Sequence, residues 1–357
     1  MIYVMSFFSI IAGIDKLLNN RFGIGEKFDE GFKSLGGLAL TIIGLYSISP
    51  VIAELIKPII YPISNLLHID PSFFISSILA PDLGGYNASI EISKSIEIGV
   101  YNGVILASML GTAISFTIPV AIGIISKDDF DLFAKGALSG IMTIPIGMIA
   151  GGLMMKLRIT EILNSLIPVI VFSILMSIGL IKKQKTMIKM FNRLGKVIIA
   201  ISTIGLILLI IKLGFNIDLV DGMISLEEAA LLIVQIAIVL SGAFPMFYVI
   251  SKLMHKQIRQ VEEKFKLDQY SVLGMFSTMV HCMPMLEVYD KMNDKGKILN
   301  AAFVVSAGFT IGGQFGYITS VAPEYINAFI VSKIVAGVAA VFVANLFMKI
   351  EYSKMLK

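Results

Sequence analysis

Apolar residues fall in long blocks along this chain, divided by short charged stretches. Phe130 to Met155, Ile162 to Ile181, Val197 to Ile211 and Ala229 to Ile250 carry few charges. Each approaches or exceeds the roughly 20 residues a helix needs to cross a bilayer. None shows the polar face of an amphipathic helix resting on a soluble core. In order, the blocks predict spanning helices near 1–15, 36–56, 101–125, 133–155, 162–181, 196–214, 227–251, 298–321 and 325–348. The connectors Asp15 to Ser34 and Lys252 to Asp268 are charged, and the second is expected to form a surface helix. The apolar start of the chain lacks a basic n-region and a small-residue cleavage site, so it reads as a spanning helix rather than a signal peptide.

Two further segments are of a different kind. Residues 71–92 begin apolar, break into Pro81-Asp82-Leu83-Gly84-Gly85-Tyr86-Asn87 and continue half polar to Glu91. Residues 269–290 contain His281-Cys282-Met283-Pro284, with Glu287 and Asp290 beyond. Long helix, broken polar segment, long helix, short turn and long Gly-rich helix describe residues 36–155 and again 227–348. Transporter halves show self-similarity of this weak kind. The expected division is a first membrane repeat with its connecting helix at 1–181 and a second at 182–357.

Loop charge sets the orientation, because Lys and Arg favour the cytoplasmic side. If both broken segments enter and leave on one face, and the N-terminus lies outside, Lys and Arg divide 23 inside to 5 outside, with Lys333 in a helix. Full spanning by both gives 14 to 14, and one re-entrant segment gives at best 20 to 8. The predicted fold is therefore an all-α polytopic membrane protein of two inverted-topology repeats, each with a re-entrant broken segment. Irregular backbone at membrane depth survives only when buried in protein or lining a cavity.

Composition agrees: 56% of the 357 residues are hydrophobic, 15% are charged, and mean hydropathy is +0.87. A soluble domain carries about a quarter charged residues. The net charge of +4 comes from short loops, so it signals orientation and no nucleic-acid partner. A single cysteine, Cys282, excludes an internal disulfide.

Asp82 is the sharpest candidate for chemistry, since a carboxylate among apolar residues is costly unless paired. Gly84 and Gly85 let the backbone turn and approach a ligand closely. Tyr86 adds an aromatic face and Asn87 an amide, so the group could hold a small cation. Equally, Asp82 could cap the half-helix after Pro81 or pair with a lysine. Lys333 lies about nine residues, or roughly 13 Å, into its helix. It reads first as a buried structural partner of Asp82, and second as an internal charge replacing a coupling ion. In the second broken segment His281, Cys282 and Glu287 take the mirrored place, His281 as a lining residue able to titrate. Adjacent His281 and Cys282 lack metal-ligand spacing. Gln314, within Gly312-Gly313-Gln314-Phe315-Gly316, suits close backbone approach or a lining position, and helix packing is as good a reading. Gly147, Gly151 and Gly152 have the spacing of a helix-packing face.

No nucleophile–base set, P-loop or dinucleotide fingerprint occurs, so no catalytic residue, cofactor or metal is expected. An intramembrane enzyme on a small polar or lipid head group would have to use Asp82, His281 and Glu287 as its acid–base set. The inverted repeat favours transport over that reading and over a purely structural anchor.

The chain resembles the EutH family, the ethanolamine permeases of bacterial ethanolamine-utilisation operons, from about residue 1 to 349. The resemblance rests on Asp15, Gly31-Phe32, Leu38-Ala39-Leu40, Asp82 with Gly84-Gly85, and Phe116 with Ile118-Pro119-Val120-Ala121. It continues in Gly140-Ile141-Met142-Thr143-Ile144-Pro145-Ile146-Gly147, Ala150-Gly151-Gly152-Leu153, Gly242-Ala243 with Pro245-Met246, and Pro284-Met285. Asp294-Lys295-Gly296-Lys297 with Val305-Ser306-Ala307 completes it. The family tends to carry two asparagines where this chain has His281 and Cys282. It tends to read Gly-Asp-His-Leu-Gly-Phe where this chain has Gly312 to Tyr317. The resemblance implies uptake of ethanolamine, as a protonated cation, through the cytoplasmic (inner) membrane of a bacterium. Its partners are then that small cation and the lipid bilayer, with a homo-oligomer left open and a different small amine as the alternative cargo.

Overall fold

A computed structural model describes residues 2–34, 36–253 and 255–355, and among these the chain is helical with no strand. Among the described residues seven helices are long and apolar enough to cross a membrane: Ala39–Leu67, Ile96–Ile124, Phe130–Met154, Ile159–Gly179, Lys185–Phe215, Leu226–Leu253 and Pro323–Ile350. In element terms the first half comprises α1 (Ile2–Leu17), α2 (Gly25–Lys33), α3 (Gly36–Leu67), α4 (Ser72–Ser76), α5 (Gly85–Ile92), α6 (Ile96–Tyr101), α7 (Ile118–Ile124) and α8 (Phe130–Met154). Then follow α9 (Ile159–Lys182), α10 (Gln184–Phe215), α11 (Leu226–Leu253), α12 (His255–Phe265), α13 (Gln269–Thr278) and α14 (Met283–Glu287). The last are α15 (Asp294–Ala307), α16 (Gly313–Val321) and α17 (Ile326–Met355). Side chains such as Ile167, Val171, Ile174, Ile199, Ile207 and Leu213 on α9 and α10 face outward. An apolar surface of this extent suits a lipid solvent, because water penalises each exposed Å² by about 25 cal/mol.

At the centre α8 packs on both α15 and α17, while α10 lies on α3 and α11 on α1 and α2. Small residues permit the close approaches. A Cβ on Gly140 would stand 2.6 Å from the Ala302 carbonyl, and one on Gly147 2.6 Å from that of Ser332. Gly151 and Gly152 abut Ile105 and Ile162, so this face packs helices, as its spacing implied. The expected surface helix at 252–268 is α12. The 15–34 connector also holds a helix, α2, and Asp15 fixes its entry: the carboxylate accepts from the amides of Phe22, Ile24 and Gly25 at 2.9, 2.9 and 3.0 Å.

Residues 71–92 break where the sequence indicated. After α4, Pro81–Leu83 forms a 3₁₀ turn, Gly84 adopts φ +82°, and α5 begins at Gly85. That left-handed conformation favours glycine, and it reverses the chain immediately after Asp82. In the second half the break is longer than expected. The predicted continuous helix 298–321 is interrupted after α15: Phe309 has φ +62°, and helix resumes only at Gly313. The amides of Phe309 and Ile311 donate to the carbonyls of Thr278 and Met279 at 3.0 and 2.9 Å. Thus the free carbonyls at the end of α13 and the unwound amides satisfy each other, which lets the interruption persist in the core. A Cβ on Gly312 would stand 2.7 Å from the Val280 carbonyl carbon, so the strands of backbone touch there. Between α6 and α7 the chain stays helical, but 102–111 and 113–117 widen to π turns.

Candidate functional site

The two breaks and the π-widened stretch enclose one deep cavity. Asp82 comes from the Pro81–Leu83 turn, Thr112 and Phe116 from the π turns, His281 from the gap between α13 and α14, Phe309 from the unwound stretch, and Gln314 from the first turn of α16. Its volume is about 30 Å³. Among the described residues, two polar atoms in its wall have no hydrogen-bond partner: Asp82 Oδ1 and His281 Nε2. His281 Nδ1 accepts from the Met283 amide at 3.2 Å, so the neutral ring carries its hydrogen on Nε2. One acceptor and one donor therefore remain in the wall of the same cavity. Aromatic rings complete it: Phe309 meets His281 edge-on at 5.3 Å, and Phe116 meets Phe309 at 5.6 Å and His281 at 6.3 Å.

Lys333 is 1% exposed on α17, yet it forms no ion pair with Asp82 among the described residues. Its ammonium donates instead to the Ser108 carbonyl and, at 3.0 Å, to Gln314 Oε1. Gln314 Nε2 then donates to Thr112 Oγ1 at 2.5 Å, and the Thr112 hydroxyl donates to the Ala107 carbonyl at 2.9 Å. The ammonium can only donate and the Thr112 hydroxyl already donates to Ala107, so the amide is held with its oxygen toward the lysine and its nitrogen toward Thr112. In place of the direct pairing expected of Asp82 and Lys333, the lysine bonds Gln314, which lines the same cavity as Asp82. Burial of Lys333 fits this arrangement, because two acceptors offset part of its desolvation.

The other sequence candidates lie elsewhere. Tyr86 and Asn87, one turn beyond the Gly84 reversal, line a larger cavity of about 580 Å³ with Tyr46, Glu91, Glu228, Gln235 and Ser320. Gly84 and Gly85 serve backbone packing: their Cβ positions would stand 2.6 Å from Ser49 Cβ and 2.5 Å from the Leu79 carbonyl. Cys282 is wholly buried in the main hydrophobic cluster, and Glu287 is exposed at the end of α14. Sequence reasoning missed Thr112 and Phe309 as lining residues. A hydroxyl and a ring within apolar runs give no signal of their own, and the break that aims Phe309 inward was hidden in a helical pattern.

Buried carboxylate, imidazole and ammonium groups around interrupted helices, inside a lipid-facing bundle, define a multi-pass helical membrane protein with a polar site in its core. The chain belongs to the EutH family: residues 1–347 match the family described as ethanolamine utilisation protein, EutH. It is similar to the probable ethanolamine permease EutH of Listeria monocytogenes serotype 1/2a (strain 10403S), with 38% identity across 99% of this chain and 96% of the relative. A protein of Bacillus subtilis (strain 168), the uncharacterized protein YxeR, is 37% identical across 95% of this chain and 92% of its own length. The probable ethanolamine permease EutH of Escherichia coli (strain K12) is 33% identical across 98% and 95%. No solved structure matches the chain.

Proposed function

We propose that this protein imports a small protonated amino alcohol, ethanolamine, through the cytoplasmic membrane of a bacterium by alternating access. The observation that carries the reading is the Asp82 carboxylate oxygen, unpartnered in the wall of a core cavity beside the unpartnered His281 nitrogen. An ammonium leaving water needs a counter-charge, and Asp82 supplies it, with the faces of Phe116 and Phe309 as supplementary cation–π surface. The hydroxyl has Gln314 and Thr112 within the same wall, and His281 Nε2–H can donate to its oxygen. Nothing in this set is a nucleophile with its base, and the relatives that carry a functional name are called permeases, so the site binds and releases without chemistry.

At about 30 Å³ the cavity has room for one or two waters, less than the four non-hydrogen atoms of ethanolamine require. Loading therefore needs the wall to move, and the discontinuous α15–α16 pair and the Gly84 turn are the natural hinges. Two inverted repeats, 1–181 and 182–357, with re-entrant segments at 71–92 and 269–290, would place those hinges at the midplane from opposite faces. Support comes from the loop charge division, from the two breaks meeting at one cavity, and from the packing of α8 on α17, their counterparts in the two halves.

The test is uptake of labelled ethanolamine by purified protein in liposomes, with a competition panel. Ethylamine, which leaves the hydroxyl partners unpaired, should compete about tenfold or more weakly, and neutral ethylene glycol should not compete. Equal competition by ethylene glycol, or uptake of an anion instead, would remove the cation-site reading.

A further inference from the structure

The larger of these two cavities is left unused by the functional reading, and it is already big enough for a solute. Its 580 Å³ exceeds the deep cavity's 30 Å³ about twentyfold, so an amino alcohol fits without rearrangement. Glu228 stands exposed in its wall and accepts a 3.3 Å hydrogen bond from the Tyr46 hydroxyl. Among the described residues Glu228 has no basic partner, whereas Glu91 in the same wall pairs with Lys57 at 3.1 Å. One carboxylate in this cavity is therefore uncompensated. Gln235 is the sole amide in the apolar run Leu231 to Leu240, about nine residues or 13 Å along α11 from Leu226. An amide at that depth is costly against lipid, and this one faces the cavity.

Helix α16 contributes to both cavities, Ser320 and Val321 to the larger and Gly313 and Gln314 to the deep one, with Tyr317 between them in sequence. Tyr317 is fully buried and meets Tyr46 and Tyr86 edge-on at 6.3 and 6.2 Å. Its hydroxyl donates to Asn87 Oδ1 at 3.4 Å, and it sits one turn along α16 from Gln314 of the deep site. The cavity wall thus ends on the same short helix that floors the deep site.

We propose that the Tyr46–Tyr86–Asn87–Glu228–Gln235 cavity is a second binding site for a small primary ammonium compound, a vestibule that captures the solute before it passes Tyr317 to Asp82. The inference rests on the transport reading above, and adds a site to it. Glu228 provides the counter-charge, Tyr46 and Tyr86 provide aromatic faces, and the Asn87 and Gln235 amides take the remaining donors. Under the orientation set by loop charge this cavity faces outside, the side from which imported solute arrives.

The experiment is equilibrium dialysis of labelled ethanolamine against purified protein in nanodiscs, paired with uptake into liposomes. Wild type should bind two molecules and Glu228→Gln one. Loss of one ion pair should raise half-saturation of uptake about tenfold in Glu228→Gln, with maximal rate kept within about twofold. Gln235→Leu, a substitution apolar helices tolerate, should shift half-saturation in the same direction. Asp82→Asn should keep the vestibule molecule while losing uptake. Absence of any binding to Asp82→Asn, or unchanged stoichiometry and half-saturation in Glu228→Gln, overturns the vestibule and leaves the deep-site reading standing. Loss of binding in Glu228→Gln with normal uptake by Asp82→Asn would support the vestibule and remove the deep site.

Discussion

Replacing Gln314 with leucine should injure the protein more than removing both Gln314 and Lys333. Among the described residues Gln314 is the only side-chain acceptor of the buried Lys333 ammonium, at 3.0 Å, and its nitrogen donates to Thr112 at 2.5 Å. Leucine fills similar volume and forms neither bond. A hydrogen bond to a charged group contributes about 1.5–3 kcal/mol and a neutral one about 1 kcal/mol. Gln314→Leu should therefore cost about 3 kcal/mol, leaving the ammonium with the Ser108 carbonyl alone. Lys333→Met loses the same bond but also removes a buried charge, whose desolvation amounts to several kcal/mol, so its net cost should be smaller. In Gln314→Leu/Lys333→Met the stranded charge is gone, and about 2 kcal/mol of the Gln314→Leu loss should return. Unfolding in mixed micelles of rising SDS fraction, followed by far-UV circular dichroism because the chain has no tryptophan, reads the four stabilities. Additivity within about 0.5 kcal/mol would mean that the relay does not hold Lys333. Strong coupling of Lys333 with Asp82 and none with Gln314 would restore the direct pair.

Three further outcomes follow from the structure. Asp268, ahead of α13, is partly buried, which alone would raise its pKa; the Asn293 amide and the Ser271 hydroxyl and amide, at 2.8, 2.6 and 2.8 Å, hold it below the ordinary 3.8. Its stabilisation is complete above that ordinary value and is lost as pH falls through the lower folded value, so Asp268→Asn should cost about 1 kcal/mol at neutral pH and nothing in strong acid. Gly312→Ala should destabilise by about 1–3 kcal/mol, since its Cβ meets the Val280 backbone; wild-type stability would show that the contact yields freely. With Cys282 replaced, single cysteines at Lys57 and Lys94 should react with an impermeant outside reagent and those at Lys266 and Lys295 should not. Opposite behaviour within either pair would remove re-entry of that segment.

The helices were legible because apolar runs near 20 residues have one stable form in lipid. The first break was equally plain, since a proline followed within four residues by two adjacent glycines favours a turn, and Gly84 takes the left-handed conformation there. Residues 298–321 read as continuous because the interruption at Gly308 to Gly312 depends on acceptors from Thr278 and Met279, remote in sequence. The same kind of remoteness shaped the site. Asp82, His281 and Gln314 were each marked by polarity in an apolar setting, and all three line one cavity. Tyr86 and Asn87 were grouped with Asp82 by adjacency, but the left-handed Gly84 turns them toward another cavity. Cys282 follows His281 and yet packs in the core, as neighbours in irregular backbone often face apart. Lys333 was recognised as buried, while its acceptors, one of them a backbone carbonyl, carry no sequence signature.

The central claim is that Asp82 holds the cation during import. Its most direct test is concentration-dependent uptake of labelled ethanolamine into liposomes containing wild type or Asp82→Asn at acidic pH, where almost no neutral amine leaks through lipid. The account predicts saturable uptake by wild type and none by Asp82→Asn that folds normally, with the difference masked at alkaline pH by passive entry. Saturable uptake by Asp82→Asn at acidic pH, with wild-type half-saturation, would contradict it.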